Sequence, residues 1–225
     1  MSTTWKPEGA SAVRRGHLRL ARDEVSGLLA HDMKTPLAAI AMNLDFALGE
    51  LGPEVPASVR GALEDCREST HNAVGLVSDM VDAVQLASGQ RRAHLGPVDA
   101  QAQLAEAVRR LAADAAARGV RLMWAAEPTS VHADADLLDR ALERLLERAL
   151  RYARVGGSVD VTLKQGSIVI RVESPDGVAV VPDSGVTTQS LATHFADAAM
   201  RAQGGAVSME TDAGGALLFV VTLPS

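Results

Sequence analysis

Residues 29–37 read Leu-Ala-His-Asp-Met-Lys-Thr-Pro-Leu and lie in a segment whose apolar residues recur every three or four positions. That spacing predicts an amphipathic helix of the kind found in helical bundles. His31 falls outside the apolar stripe, and residues four apart share a helix face, so His31 and Thr35 are expected side by side at the surface. Asp32 follows the histidine directly and can accept a proton from the ring or orient it. The stripe consists of Leu29, Met33, Leu37, Ile40, Leu44, Ala47 and Leu51.

Two long helices are predicted around this stretch, the first from about residue 11 to about residue 49 and the second from about residue 57 to about residue 87. Residues 51–56 contain two prolines and a glycine and cannot continue a helix. A two-helix hairpin has too little core to be stable alone. We therefore expect a homodimer through residues 10–90 in which two copies form a four-helix bundle, since two-fold dimers are the commonest oligomers.

A second domain is predicted at residues 98–225, after a first domain at residues 1–90 and a linker at residues 91–97. Gly119 and the pair Gly204-Gly205 are typical helix stops, and alternating apolar runs predict strands. The order of these elements predicts a mixed sheet with helices on one face, an α/β sandwich. The predicted helices cover about 100–118, 136–153 and 190–203, and the predicted strands about 120–124, 159–163, 168–172, 206–211 and 217–223.

Composition narrows the function classes. The chain has 225 residues, 47% of them hydrophobic, and a net charge of −6 without a block of Lys or Arg, which argues against nucleic acid as a partner. No apolar run approaches the roughly 18 residues of a membrane span, and no signal-peptide core is present, so a cytoplasmic location without membrane insertion is expected. Cys66, the single cysteine, is expected to be a small buried side chain.

The stretch from His31 to Leu37 resembles the H-box of sensor histidine kinases. The resemblance implies that His31 is the phosphoacceptor, that Asp32 acts as an acid or base or orients the ring, and that Thr35 positions a water for dephosphorylation of the partner. Lys34 is a further candidate, for contact with the transferring phosphoryl group. Small residues around the histidine are expected to leave space for a helix of a receiver domain; they are Ala30, Ala38, Ala39 and Ala41.

The order of elements over residues 98–225 resembles the ATP-binding domain of histidine kinases, a Bergerat-like sandwich, with degenerate nucleotide signatures. The family motif Asn-Leu-Leu-x-Asn-Ala-x-Lys-Tyr corresponds to Arg144–Tyr152, where Arg144 and Arg148 replace both asparagines. A carboxamide oxygen can ligate Mg²⁺, whereas a guanidinium only donates hydrogen bonds and carries a positive charge. With Arg151, these arginines either form a solvated helix face paired with acidic neighbours or bind an acidic partner or another anion.

Two further signatures of the family are altered. Its Asp-x-Gly-x-Gly, whose Asp binds the adenine amino group, corresponds to the run from Glu173 to Gly177, which has Pro175 at the first glycine. Its Gly-x-Gly before the last helix corresponds to Ser190 to Ala192. Side chains and a proline at these positions remove the close backbone approach that phosphates require. We expect the chain to bind no cofactor of its own.

An intact phosphoacceptor hairpin joined to a degenerate ATP domain resembles the histidine phosphotransferases that evolved from kinases. The resemblance implies that His31 passes a phosphoryl group to or from aspartates on receiver domains of response regulators or hybrid kinases, with Mg²⁺ supplied by the receiver. Alternatives from other classes stay open. One is a divergent ATP-dependent histidine kinase, which would bind nucleotide. The other is a non-catalytic pseudokinase or a phosphatase that regulates a response regulator.

Overall fold

The computed structural model describes residues 32–174 and 191–224. The chain divides between Gln90 and Arg91 into two compact units. Each unit is built from different elements, a helical hairpin in the first and a sheet covered by helices in the second.

The first unit is an antiparallel helical hairpin. Helix α1 is helical over residues 32–50, the turn covers residues 51–56, and helix α2 spans Ala57–Ala87. Arg60 Nη2 donates to the carbonyls of Leu51 at 3.1 Å and Gly52 at 3.2 Å, which ties the start of α2 to the turn. Further along, His71 Nε2 lies 3.4 Å from Asp45 Oδ2. These contacts pair residues in reverse order, so the predicted hairpin is confirmed.

The hairpin covers only part of its apolar surface. On α1, Ala41 is buried and Leu37, Leu44 and Leu48 are half-buried, at the spacing of one helix face. The prediction that Cys66 is buried is wrong, because its side chain is exposed on α2. One neighbouring helix covers only part of an apolar stripe, so positions along the margin of the stripe stay open.

The second unit begins with a two-stranded antiparallel pair, β1 at Gly96–Asp99 and β3 at Ser130–Ala133. Gly96 and Pro97, which lie in the segment predicted as a linker, pair with Ala133 and His132. Proline is tolerated near the start of an edge strand, where a ladder hydrogen bond from its nitrogen is not needed. The short pairing joins residues far apart in sequence, which is why local patterns did not indicate it.

A five-stranded mixed sheet forms the rest of the strand layer, in the order β2-β4-β5-β7-β6. Its first pair, β2 with β4, is parallel, and the remaining pairs are antiparallel. The mixed sheet was predicted from the sequence and is confirmed. The strands are β2 at Arg121–Ala126, β4 at Ser158–Lys164, β5 at Ser167–Glu173, β6 at Ala206–Thr211 and β7 at Leu217–Thr222.

Three helices pack against one face of this sheet, namely α3 at Ala100–Ala117, α4 at Ala135–Tyr152 and α5 at Leu191–Arg201. Asp99 caps α3 by accepting from the Ala102 N–H, and Asp134 caps α4 by accepting from the Leu137 N–H. The core lies between these helices and the sheet, and the predicted α/β sandwich is confirmed. The largest fully buried side chains include Leu104, Leu137, Leu142, Leu145, Leu146, Ile168, Ile170, Phe195 and Phe219.

Candidate functional site

The candidate phosphotransfer site lies at the start of the described part of α1. Asp32, Lys34 and Thr35 are all exposed on this helix. His31 lies outside the described residues, so the structure places its three predicted neighbours and not the histidine itself. Exposure of all three side chains leaves them accessible to a docking protein.

Pro36 lies within α1, and helical structure continues on both sides of it. Because proline has no N–H, the carbonyl of Asp32 lacks its usual intrahelical donor four residues later. An acceptor without a helical partner therefore lies in the turn that carries Asp32 and Thr35. It is available to water or to a donor from another molecule.

An exposed apolar surface continues along α1 from Thr35. Met42 and Phe46 follow Thr35 at spacings of seven and then four residues, which places all three on one helix face. The two apolar side chains are 72% and 70% exposed. Large apolar side chains this exposed, beside polar candidates for chemistry, are typical of a protein docking surface. Neither residue was predicted as part of the site, although the spacing from Thr35 is visible in the sequence.

A second apolar face of α1 is separate from the first. Met33 and Ile40 are seven residues apart and are each 48% exposed. At 100° per residue, Ile40 lies about 160° around the helix from Met42, so one flat partner cannot cover both. Ala41, predicted to leave space for a receiver helix, is buried within the hairpin. Ala39 is exposed and Ala38 is half-buried.

The positions that match the kinase metal motif lie on α4. Arg144 Nη1 forms an ion pair with Glu147 Oε2 at 3.0 Å. Arg148 stacks on the Tyr152 ring, its Cζ 4.3 Å from the ring centroid, and also donates to the Tyr152 hydroxyl. Tyr152 in turn stacks on Phe219 of β7, with ring centroids 6.3 Å apart. Arg148 is thus held by an aromatic ring rather than by the acidic neighbours that the simpler interpretation predicted.

The donor set on α4 does not fit a magnesium nucleotide. Guanidinium groups have no lone pair for a cation, and a stacked Arg148 adds positive charge where the family has a carboxamide oxygen. Within residues 32–174 and 191–224, no group of three or more His, Cys, Asp or Glu side chains could hold a metal ion.

Glu173, matched to the adenine-binding aspartate, lies on the sheet face away from the helices. Its Oε1 accepts from Arg171 Nη2 at 2.9 Å, and the same nitrogen contacts Asp212 Oδ2 at 2.9 Å. Val172 between them is buried toward the helices, so alternation along β5 places Glu173 on the opposite face. The next inward position is Ser174, whose buried Oγ has no hydrogen-bond partner among the described residues.

Asp212 completes this surface network in the turn between β6 and β7. Its Oδ1 accepts from the Ala216 N–H at 2.9 Å and from the Gly214 N–H at 2.8 Å. These backbone hydrogen bonds and the Arg171 guanidinium hold the pKa of the Asp212 carboxyl below its usual range. Of the other degenerate positions, Gly177 and Ser190 lie outside the described residues, and Ala192 is described only as part of the α5 backbone.

Asp134 connects three parts of the second unit and was not singled out from the sequence. Its buried carboxylate accepts from the Leu137 N–H at 3.1 Å and from the His94 N–H at 2.8 Å. Its own N–H donates to Gln203 Oε1 at 2.7 Å. An aspartate directly before an amphipathic helix was the available signal for the cap, but its distant partners could not be deduced.

Comparison with known proteins assigns the hairpin. Residues 21–89 match the model of the His Kinase A (phospho-acceptor) domain. The chain is 26% identical over 173 residues to the adaptive-response sensory kinase SasA of Synechococcus sp. (strain JA-2-3B'a(2-13)), covering 72% of this chain and 44% of that protein. It is 30% identical over 152 residues to the sensor protein QseC of Salmonella typhi, covering 67% of this chain and 33% of QseC.

The fold as a whole resembles a solved histidine kinase structure. The structure of full-length ShkA in complex with AMPPNP is similar to this chain, with a TM-score of 0.62 and 24% sequence identity. The match covers 89% of this chain and 45% of the ShkA chain. At that identity the likeness concerns the fold alone. The chain spans 44% of the length of SasA and 33% of the length of QseC. The hairpin thus matches a phosphoacceptor domain, and the chain is similar to histidine kinases in sequence and in fold.

In the part of the chain that the structure describes, no helix combines the length and apolarity needed to cross a bilayer.

Proposed function

We propose that this chain is a histidine phosphotransfer protein of a two-component phosphorelay. His31 takes a phosphoryl group from an aspartate of one receiver domain and returns it to an aspartate of another, without use of ATP by this chain. The observation that carries the proposal is the pairing of an unaltered H-box with a sandwich domain whose Arg148 is stacked on Tyr152 where the kinase family has a metal-binding asparagine.

The chemistry asks mainly for positioning. A ring nitrogen of neutral His31 attacks the phosphorus in line, a nitrogen–phosphorus bond forms, and the bond to the aspartyl oxygen breaks as the carboxylate leaves. Asp32 orients the ring and stabilises the positive charge that the attack creates on it. Mg²⁺ is supplied by the acidic pocket of the receiver, and we expect Lys34 to contact the transferring group. The reverse reaction uses the same groups.

The two apolar faces of α1 suit two different partners. Met33 and Ile40 are half exposed in the single chain, and we expect a second copy to cover them in a four-helix bundle. Met42 and Phe46 lie on the face of Thr35, and we expect the receiver to dock there. Separate faces allow a stable dimer to exchange receivers without coming apart.

The decisive experiment follows labelled phosphate from a phosphorylated receiver to the purified chain in the presence of Mg²⁺ and the absence of ATP. We expect the wild type to become labelled and His31→Ala to remain unlabelled. His71→Ala is the matched control, because His71 is another exposed histidine of the same hairpin, and it should be labelled like the wild type. Labelling of His31→Ala would overturn the proposal.

Phosphatase action is a second candidate, supported by the exposure of Asp32 and Thr35 on one turn of α1. A water held by the Thr35 hydroxyl would attack the phosphorylated receiver in place of the histidine. Thr35→Ala separates the two activities. We expect it to slow the loss of phosphate to water and to leave transfer to His31 in place.

A further inference from the structure

Strand β2 is an edge of the five-stranded sheet, since β4 is its only neighbour among the described strands. The run from Leu122 to Ala126 contains no charged residue and no proline. Met123 is 51% exposed and Trp124 is 43% exposed. Edge strands are usually protected by charges, proline or a covering element, because an unprotected edge pairs readily with another strand. This edge has none of these devices within the run.

The backbone of β2 directs a regular set of N–H and C=O groups toward its free side, and of these the Ala126 carbonyl accepts from the Gln101 side chain. Arg121 N donates to Gly157 O and Glu127 N donates to Leu163 O, so odd-numbered residues point their hydrogen-bonding groups toward β4. Because direction alternates along a strand, the groups of Leu122, Trp124 and Ala126 point outward. Consistent with this, Gln101 Nε2 reaches the outward carbonyl of Ala126 at 3.3 Å.

We propose that a second copy of this chain pairs with β2 in antiparallel orientation, with Trp124 opposite Trp124 of the other copy. The two copies are related by a two-fold axis perpendicular to the sheet, so residues that lie directly opposite each other have their side chains on the same sheet face. Because faces alternate along a strand, an odd-numbered residue must lie opposite an odd-numbered one and an even-numbered residue opposite an even-numbered one. Centring on Trp124 pairs Leu122 with Ala126 and uses every outward-pointing residue of the strand. Each such pair exchanges two backbone hydrogen bonds.

Charge complementarity selects the same register. With Trp124 at the axis, Arg121 of one copy lies opposite Glu127 of the other, at both ends of the pairing. Arg121 is exposed and has no side-chain partner among the described residues. Glu127 is exposed, and its described ion pair is a long contact with Lys164 at 3.9 Å. Opposite charges directly across two strands favour the pairing, and a slip of two residues would lose both contacts.

Helix α3 leaves room for the second copy. Gln101 marks the side of α3 that lies over the β2 edge, since its amide reaches Ala126. Ala105, Ala112 and Ala116 follow it at spacings of four and seven residues on the same side. The opposite side carries Arg110, whose Nη2 contacts Asp139 of α4 at 2.8 Å. Apart from Gln101 and Arg109, which pairs with Glu106 of the same helix, the side chains on this side of α3 are small and allow close approach.

The test is cross-linking of the full chain through a cysteine at the axis. In a Cys66→Ser background, Trp124→Cys should form a disulfide-linked dimer under mild oxidation. A directly opposed hydrogen-bonded pair has Cα atoms about 5.5 Å apart, within disulfide range. Met123→Cys is the matched control. Met123 is exposed and adjacent to Trp124. In the proposed register it lies opposite Ala125 of the other copy, so the two Met123 positions are offset by two residues along the strand and cross-linking should be weak.

Charge reversal then tests the register. Arg121→Glu or Glu127→Arg, each added to Trp124→Cys, should lower the cross-linking rate about fivefold or more, because each reversal opposes like charges at both ends. The combination of both reversals should restore the rate. Within one strand these residues are about 20 Å apart, so restoration cannot come from a contact inside one chain. Circular dichroism checks that each variant is folded.

Either of two results would overturn the inference: Trp124→Cys cross-linking no faster than Met123→Cys, or a rate that charge reversal leaves unchanged. The first result would mean that β2 does not pair with β2 of a second copy in this register. Both readouts are independent of phosphotransfer, so they succeed or fail separately from the function proposed for His31.

Discussion

At the scale of single residues, Arg148 illustrates how a side chain that is incompatible with a cation site can be accommodated. It replaces a carboxamide of the kinase motif, stacks on Tyr152 and is linked through that ring to Phe219. The positive charge is thus stabilised by the face of an aromatic ring rather than by a carboxylate. Its structural contribution can be measured.

We predict that Arg148→Ala lowers the free energy of unfolding by about 0.5–1 kcal/mol through loss of the cation–π contact. Arg151→Ala, an exposed position on the same helix, is the control and should change it by less than about 0.5 kcal/mol. Urea denaturation measures both. Equal effects of the two substitutions would contradict the stabilising role of the contact.

The Asp212 carboxyl makes stability depend on pH in a defined direction. Its pKa is lowered in the folded state, chiefly by the backbone hydrogen bond from Ala216, so its contribution is present above the unfolded value near 3.8. That contribution is lost as the pH falls through the lower folded value. We predict that Asp212→Asn is less stable than the wild type at pH 7 and that the difference narrows below about pH 4.

Denaturant titrations at pH 7 and pH 3 test this dependence. Glu64→Gln, at an exposed acid on α2, serves as the control with little effect at either pH. A difference between Asp212→Asn and the wild type that stays constant with pH would contradict the account.

At the scale of elements, Asp134 combines a helix cap with long-range contacts. Its carboxylate is buried and bonded to two backbone N–H groups. We predict that Asp134→Ala lowers the free energy of unfolding by about 2–3 kcal/mol, because it removes the cap of α4 and leaves the His94 N–H without its acceptor. Asp99→Ala removes only the exposed cap of α3 and should cost about 1 kcal/mol. Equal costs would show that the contact to His94 contributes nothing.

The two apolar faces of α1 are predicted to act separately. Ile40→Glu should convert the dimer to a monomer, because it places a charge in the surface that a second copy would cover. Phe46→Ala should leave the dimer intact and slow transfer from the receiver by about tenfold or more, as expected for an interface anchor. Light scattering measures the mass and a phosphotransfer time course measures the rate. A monomeric Phe46→Ala, or transfer at the wild-type rate, would contradict this division.

Element boundaries show what local patterns can and cannot predict. Helix α2 was predicted to within a residue, because the prolines before it and Gly89 after it mark its limits. The strands β4 and β5 were predicted because both alternate and are separated by a tight turn. β1 and β3 were missed because each has four residues and their pairing depends on contacts distant in sequence. Cys66 was misplaced because burial in a bundle depends on the number of neighbouring helices.

At the scale of the whole molecule, the sequence motifs of the candidate site could be recognised more readily than the structure that surrounds them. The H-box and the altered nucleotide motifs are local, so they could be recognised from residue type and order. The sheet face occupied by Glu173 and the ring beneath Arg148 depend on strand pairing and helix packing, and they became visible only in the folded chain. The helix face that carries Met42 and Phe46 is an intermediate case, because the spacing of the two residues from Thr35 is visible in the sequence and their exposure only in the folded chain.

The central claim is that the phosphoryl group on His31 comes from a receiver and not from ATP. The most direct measurement incubates the full chain with labelled Mg²⁺-ATP alone and, in parallel, with a labelled phosphoreceiver, and then locates the label. The account predicts label from the receiver only, bound through the acid-labile linkage of phosphohistidine and absent from His31→Ala. Label acquired from ATP alone, on His31 of the wild-type chain, would contradict it and would restore the kinase interpretation despite Arg144 and Arg148.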